Sequence, residues 1–300
     1  MTDYPEILPL EIPELNKKLY LPLCLEKLDQ RQYIAFFGLM YQMEQKQISY
    51  AEFAPLCVAA LLDLKKGKRK ISEEELEEAM SNIAMLAEYI SAFFNRNENV
   101  ISLKLQYSKN YIDFVTLPFN KKYFGPSQWF RDVDFGEYED GLNRFLQYNE
   151  TPCRELLQEL MATFYREKRN GKRYGYLSSE IESAAHSFSN VPIGALYGFY
   201  YNFAMFHTYF SSSQVYYNGK LIDLSILFTN QPADDTSTYE SPYPSLGIKS
   251  TGIEIAKTGV LGNLAQVRST RLWDVALLLY DMRKKDLDER EKQKLAKKET

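Results

Sequence analysis

Val191-Pro192-Ile193-Gly194-Ala195-Leu196-Tyr197-Gly198-Phe199-Tyr200-Tyr201-Asn202-Phe203-Ala204-Met205-Phe206-His207-Thr208-Tyr209-Phe210 is the stretch whose reading decides the fold. It lies inside a run from Ser183 to Gly219 with no Asp, Glu, Lys or Arg. Its length is about that of a bilayer span. Gly194-x-x-x-Gly198 is also the close-packing motif of membrane helices. Against a span stand Asn202, His207, Tyr197, Tyr200, Tyr201 and Tyr209, whose polar groups would need partners in lipid. No basic cluster flanks the run closely. The stretch is read as the central helix of a water-soluble core, and membrane partners are not expected.

The rest of the chain fits a globular protein. It has 300 residues, 45% hydrophobic and 25% charged, enough for one large domain or two smaller ones. Formal net charge is −4, so no global field draws the chain to nucleic acid or anionic lipid. Cys24, Cys57 and Cys153 are odd in number and widely spaced. They suit three reduced thiols in a cytoplasm better than a disulfide framework or a zinc site. Met1-Thr2-Asp3-Tyr4-Pro5-Glu6 has neither the basic start nor the apolar run of a signal peptide.

Three capping signatures open helices on the N-terminal side: Asp29-x-x-Gln32, Ser49-x-x-Glu52 and Ser72-x-x-Glu75. After the second, Pro55 offers a competing start, from which the helix would run to Leu64. After the third, Leu76, Met80, Ile83, Ala87, Ile90 and Phe94 mark one apolar stripe over about 73–94. Ile7 to Leu23 is broken by Pro9, Pro13 and Pro22 and is expected to lie extended. Ile101, Leu103, Leu105 and Tyr107 alternate with polar residues, which predicts a strand that returns through Tyr111 to Leu117. A second hairpin is centred on Asn218-Gly219, with arms in 215–228. Helices are expected near 135–148, after Thr151-Pro152, near 179–188, near 253–257 and over 271–282. From Asp281 onward the chain reads as a solvated helix or a frayed tail. The fold class is therefore mainly α, with one or two small β-hairpins. The organisation expected is a helical core over 1–229, a linker over 230–247 rich in proline and small polar residues, and a C-terminal helical segment over 248–300.

No motif points to a catalytic, metal or cofactor site. Asp134-Phe135-Gly136 matches the kinase magnesium tripeptide, but the other kinase elements are missing. Gly247-Ile248-Lys249-Ser250 lacks the spacing of a phosphate loop. His207 reads as a hydrogen-bonded core histidine, and His186 as one near a helix end. Glu137, Glu139 and Asp140 read as solvated residues at a helix start. Two basic loops could contact phosphates: Lys65, Lys66, Lys68, Arg69 and Lys70, and Arg166, Lys168, Arg169, Lys172 and Arg173. The first runs into acidic residues and neither carries interleaved aromatics, so ordinary solvated loops are the better reading. The chain has 23 Tyr and 18 Phe, and Tyr is favoured at protein interfaces. Tyr107, Tyr111, Tyr216 and Tyr217 form the candidate interaction surface.

Certain segments resemble accessory proteins encoded in phage and prophage tail regions. They are Leu28-Asp29-Gln30-Arg31-Gln32-Tyr33-Ile34, Ile48-Ser49-Tyr50-Ala51-Glu52-Phe53, Phe135-Gly136-Glu137-Tyr138, Leu160-Met161-Ala162-Thr163-Phe164-Tyr165-Arg166, and Gly252 to Leu278 with Leu272-Trp273-Asp274-Val275. The resemblance implies a mainly helical chaperone or structural helper that binds other tail components without catalysis, in the host cytoplasm or the virion. It carries over no functional residue. The function expected is non-catalytic protein binding in assembly, with protein partners and no cofactor. The alternatives are an enzyme whose site assembles only in the fold, and nucleic-acid binding through the two basic loops.

Overall fold

A computed structural model describes residues 4–12, 17–64, 72–97, 100–212, 214–228 and 246–298. Along the chain run β1 (Ile7–Ile12), β2 (Lys17–Pro22), α1 (Gln30–Glu44), α2 (Tyr50–Leu61), α3 (Glu73–Ala87), β3 (Phe94–Asn97), β4 (Val100–Leu103), β5 (Phe114–Leu117) and β6 (Lys121–Phe124). Then come α4 (Phe135–Glu150), α5 (Arg154–Phe164), β7 (Lys168–Arg169), β8 (Lys172–Arg173), α6 (Ile181–Ala185) and α7 (Ile193–Ser212). Last are β9 (Gln214–Tyr217), β10 (Lys220–Asp223), α8 (Ile248–Thr258), α9 (Leu264–Ser269) and α10 (Leu272–Lys298). The strands form only two-stranded antiparallel hairpins among the described residues, so the fold is mainly α. No helix among these residues is long and apolar enough to cross a membrane.

Two compact units result, 1–125 with 186–203, and 126–185 with 204–300. This differs from a division at 230–247, most of which lies outside the described residues. The C-terminal helices belong with residues 126–185, because they supply that unit's core and its ionic partners. Helix α7 gives its residues through Phe203 to the first unit and from Ala204 to the second.

In the first unit the three capping signatures act as written. Asp29 accepts from the Gln32 N–H at 2.7 Å while Gln32 accepts from the Asp29 N–H at 3.0 Å. Ser49 with Glu52, and Ser72 with Glu75, make the same reciprocal pair. Because Ser49 already satisfies the first turn, α2 starts at Tyr50 and carries Pro55 inside it, not at its start. The core is aromatic: Tyr33, Phe36, Phe37, Phe53 and Phe93 are fully buried. Each such ring contributes about 1.5–3 kcal/mol by leaving water. Gly194 and Gly198 do bring two backbones together, here α7 against α1. A Cβ on Gly194 would meet the Ile34 carbonyl at 2.0 Å. The Tyr33 hydroxyl donates to the Gly198 carbonyl at 2.9 Å.

The first predicted hairpin is paired differently. β4 pairs with β3 before it, and β5 pairs with β6 after it, so 101–107 and 111–117 are not partners. The turn after β5 runs through Pro118-Phe119-Asn120, with positive φ at Phe119 (61°) and Asn120 (58°). Period-two alternation identifies a strand but says nothing about which strand lies beside it. The 215–228 hairpin forms as expected: Asn218 (φ 49°) and Gly219 (φ 75°) supply the left-handed turn. Its second arm ends at Asp223, and Leu224–Leu227 turns into a short 3-10 helix.

In the second unit α4 and α5 cross closely. A Cβ on Gly141 would meet the Phe164 ring at 2.4 Å. Helix α10 is buried only at its start, where Leu272, Val275 and Ala276 face the core. Beyond that it is a solvated helix laced by exposed pairs such as Lys285–Asp281 at 2.6 Å. His207 is the expected core histidine, with its Nδ1 2.6 Å from the Tyr138 hydroxyl.

Candidate functional site

The second unit places its charge inside. Glu137, Glu139 and Asp140, expected to be solvated at a helix start, are 3%, 2% and 6% exposed. Arginines remote in sequence hold them there. Arg166 follows α5 and pairs with Glu137, and its guanidinium lies over the Tyr176 ring at 4.5 Å. Arg173, at the end of β8, donates from Nε to Asp132 Oδ2 at 2.7 Å and from Nη2 to Glu137 Oε2 at 3.2 Å. Arg268, in α9, donates to Glu139 at 2.5 Å and to Asp140 at 2.9 Å. Arg271, just before α10, donates from Nη1 to Asp134 Oδ1 at 2.8 Å and to the Asp132 carbonyl at 2.6 Å. Ser178 Oγ donates to Asp140 at 2.6 Å, and the Tyr176 hydroxyl donates to the Gly136 carbonyl at 2.8 Å.

The backbone beneath is pinned. The Phe135 N–H donates to the Thr270 carbonyl at 2.8 Å, and the Leu272 N–H to the Val133 carbonyl at 3.0 Å. These bonds fix 132–135 against 270–272, and with them Asp134 against Arg271.

The environment pushes the acids apart. Burial raises the Asp132 carboxyl, but the Arg173 charge and the hydrogen bonds from Arg173 and Ser127 outweigh it and leave it low. Burial and the neighbouring Glu137 charge raise Asp134 despite Arg271. Burial and Asp140 raise Glu139 despite Arg268. Burial lowers Arg166, whereas in Arg173 the Glu137 and Asp132 charges overcome burial and raise it. An open cleft of about 380 Å³ adjoins the cluster, walled by Asp132, Asp134, Glu137, the four arginines, Tyr174, Tyr176 and Ser178. Among the described residues no group of His, Cys, Asp or Glu could hold a metal ion.

The sequence-derived site residues fare unevenly. Tyr107 and Tyr111 are 5% and 4% exposed, and Tyr111 stacks on Tyr33 at 4.3 Å. They belong to the core of the first unit, so the four-tyrosine surface reduces to Tyr216 and Tyr217. Those two, in β9, are 79% and 49% exposed, and the cross-strand partner of Tyr216 is the half-exposed Leu221. Lys65, Lys66, Lys68, Arg69 and Lys70 lie outside the described residues. Of the second basic loop, only Lys168, Arg169 and Lys172 face solvent, because Arg166 and Arg173 neutralise buried acids. The loop is the β7–β8 hairpin, turned by Asn170 (φ 50°) and Gly171 (φ 76°), and that Asn-Gly signal was present in the sequence.

Another surface was not anticipated. Helix α3 buries none of its residues. Leu76 and Met80, on one side with Ile83, are 46% and 64% exposed. No protein-family model matches the chain, and no curated protein or solved structure matches it.

Proposed function

We propose that the protein is a non-catalytic binding component of an assembly, and that it docks a protein partner on α3. The observation that carries this is the exposed apolar stripe of that helix. A helix in a folded protein gains most of its stability by burying an apolar face. The first turns of α3 place Leu76 and Met80 in solvent instead. Glu73, Glu75 and Glu77 flank this stripe, with Glu74 and Glu78 behind it, all exposed. A fitting partner has an apolar groove or helix face with a basic rim, the helix-in-groove arrangement. The resemblance to phage and prophage tail accessory proteins makes tail structural proteins the class to test first. Tyr216 with its cross-strand partner Leu221 offers a second, smaller apolar patch of the kind that anchors partners, and Tyr217 is exposed on the other face of the hairpin.

The test is affinity capture from the native cells with wild type and with the double variant Leu76→Glu/Met80→Glu. Both side chains are exposed, so helicity and Tm should hold. Burying the two accounts for more than about 1.4 kcal/mol, so capture should fall at least about tenfold. Undiminished capture by a folded variant removes α3 as the docking site. Tyr216→Ala/Tyr217→Ala in the same assay tests the hairpin.

A further inference from the structure

The cleft of the second unit has spare capacity of only one kind. Each of its three wall carboxylates already holds a guanidinium: Asp132 on Arg173, Asp134 on Arg271, and Glu137 on both Arg166 and Arg173. Glu137 Oε2 also accepts from the Asp134 N–H at 3.0 Å, and Asp132 Oδ1 from the Ser127 N–H at 2.7 Å. Acceptors are therefore largely spent. Donors are not. Arg271 uses only Nη1, and its Nε and Nη2 make no hydrogen bond among the described residues. Its side chain lines the cleft and is 48% exposed.

We infer that the cleft binds a small oxyanion, a carboxylate or phosphate group, taken in bidentate fashion by the free Nε–Nη2 edge of Arg271. That edge presents two parallel N–H groups, the geometry that matches two oxygens of either group. Asp134 does not block it, because it sits on Nη1, across the guanidinium. Arg271 is also preorganised: its Nη1 is held by two acceptors, and the backbone on either side of it is pinned by the bonds of Thr270 to Phe135 and of Leu272 to Val133, so little ordering is lost on binding. The cluster as a whole sets four guanidiniums against five carboxylates, Arg268 being held by Glu139 and Asp140, so it is the unspent donor edge of Arg271, not net charge, that selects an anion. A volume of about 380 Å³ lies in the range of small-molecule pockets. The inference goes beyond partner docking on α3 and stands apart from it.

The experiment is a titration of the full chain, at constant ionic strength, with inorganic phosphate and separately with acetate. The readout is the arginine Nε–H resonances, with the Arg271 signal assigned in the wild type by through-bond correlation from its backbone. The expected result is a saturable shift of Arg271 with at least one anion. Arg290, half exposed on α10, should show no saturable shift. Saturation by phosphate alone assigns a phosphate ligand, by acetate alone a carboxylate, and by both the shared oxyanion chemistry. Arg271→Lys, which keeps the charge but loses the fork, should weaken binding of the effective anion about tenfold or more by calorimetry. An Arg271 shift that stays linear and parallels Arg290 with both anions overturns the inference. The wild-type titration decides this even if the variant fails to fold.

Discussion

Replacing Glu137 by Gln keeps the shape of the side chain and removes its charge. Two guanidiniums depend on that charge: Arg166 is 8% exposed and Arg173 is 3% exposed, and both pair with Glu137. Asp132 remains for Arg173, but Arg166 has no second carboxylate partner in the cluster. Removing one member of a buried pair costs about 3–5 kcal/mol, because the remaining ion stays desolvated without its counter-charge. The unit concerned spans roughly 160 residues. For that size the cost corresponds to a fall in Tm of about 6–20 °C. Both tryptophans, Trp129 and Trp273, belong to this unit, so urea unfolding followed by tryptophan fluorescence reports on it. Glu254→Gln is the control. Its pair with Lys257 is about two-thirds exposed on both sides, and its loss should cost under about 1 kcal/mol. If Glu137→Gln costs no more than the control, the guanidiniums are hydrated and the sealed ionic cluster is wrong.

Further outcomes follow from the packing. Gly194→Ala should destabilise by about 1–3 kcal/mol in denaturant melts, because the new Cβ meets the Ile34 carbonyl at 2.0 Å. At Gly38 the nearest atom would be 3.7 Å away, so Gly38→Ala should stay within about 1 kcal/mol of wild type. Burial lowers the His207 pKa below its ordinary value of 6.5. The unfolded chain therefore takes up a proton that the folded chain refuses, and stability falls as pH drops below about 6.5, levelling off below the folded pKa. His207→Gln should lose that component of the Tm-versus-pH curve. Cys57 is fully buried and its thiol is raised well above its ordinary range by burial. It should react with a disulfide reagent more than about a hundredfold slower than the half-buried Cys153.

What could be read in the sequence is what local chemistry fixes. The caps at Asp29, Ser49 and Ser72 and the turn at Asn218-Gly219 each involve partners within a few residues, so their patterns mean the same thing in any fold. Gly194 and Gly198 were legible as a close-packing pair, and their polar neighbours agree with the finding that no described helix is long and apolar enough to cross a membrane. Strand partners were not legible, since alternation in Ile101 to Tyr107 is silent about the neighbour. Nor was the ionic cluster: Glu137 is 29 residues from Arg166, and Glu139 is 129 from Arg268. A run of acids at a helix start has a solvated appearance until distant arginines cover it. The fate of the tyrosines divided for the same reason. Tyr111 is buried and Tyr33 stacks on it, whereas Tyr216 lies on a hairpin where no described residue covers that face. The apolar stripe of α3 identified a helix, but periodicity cannot distinguish a face that meets the core from one left for a partner.

The most direct test of partner docking is a photo-crosslinking amino acid at Met80, irradiated in the native cells, with a matched protein carrying it at Lys257 on the exposed side of α8. The account predicts one dominant adduct from Met80, with a protein carrying a basic-rimmed apolar face, that is absent from Lys257 and lost in the presence of Leu76→Glu. No adduct from Met80, or the same adducts from both positions, contradicts it.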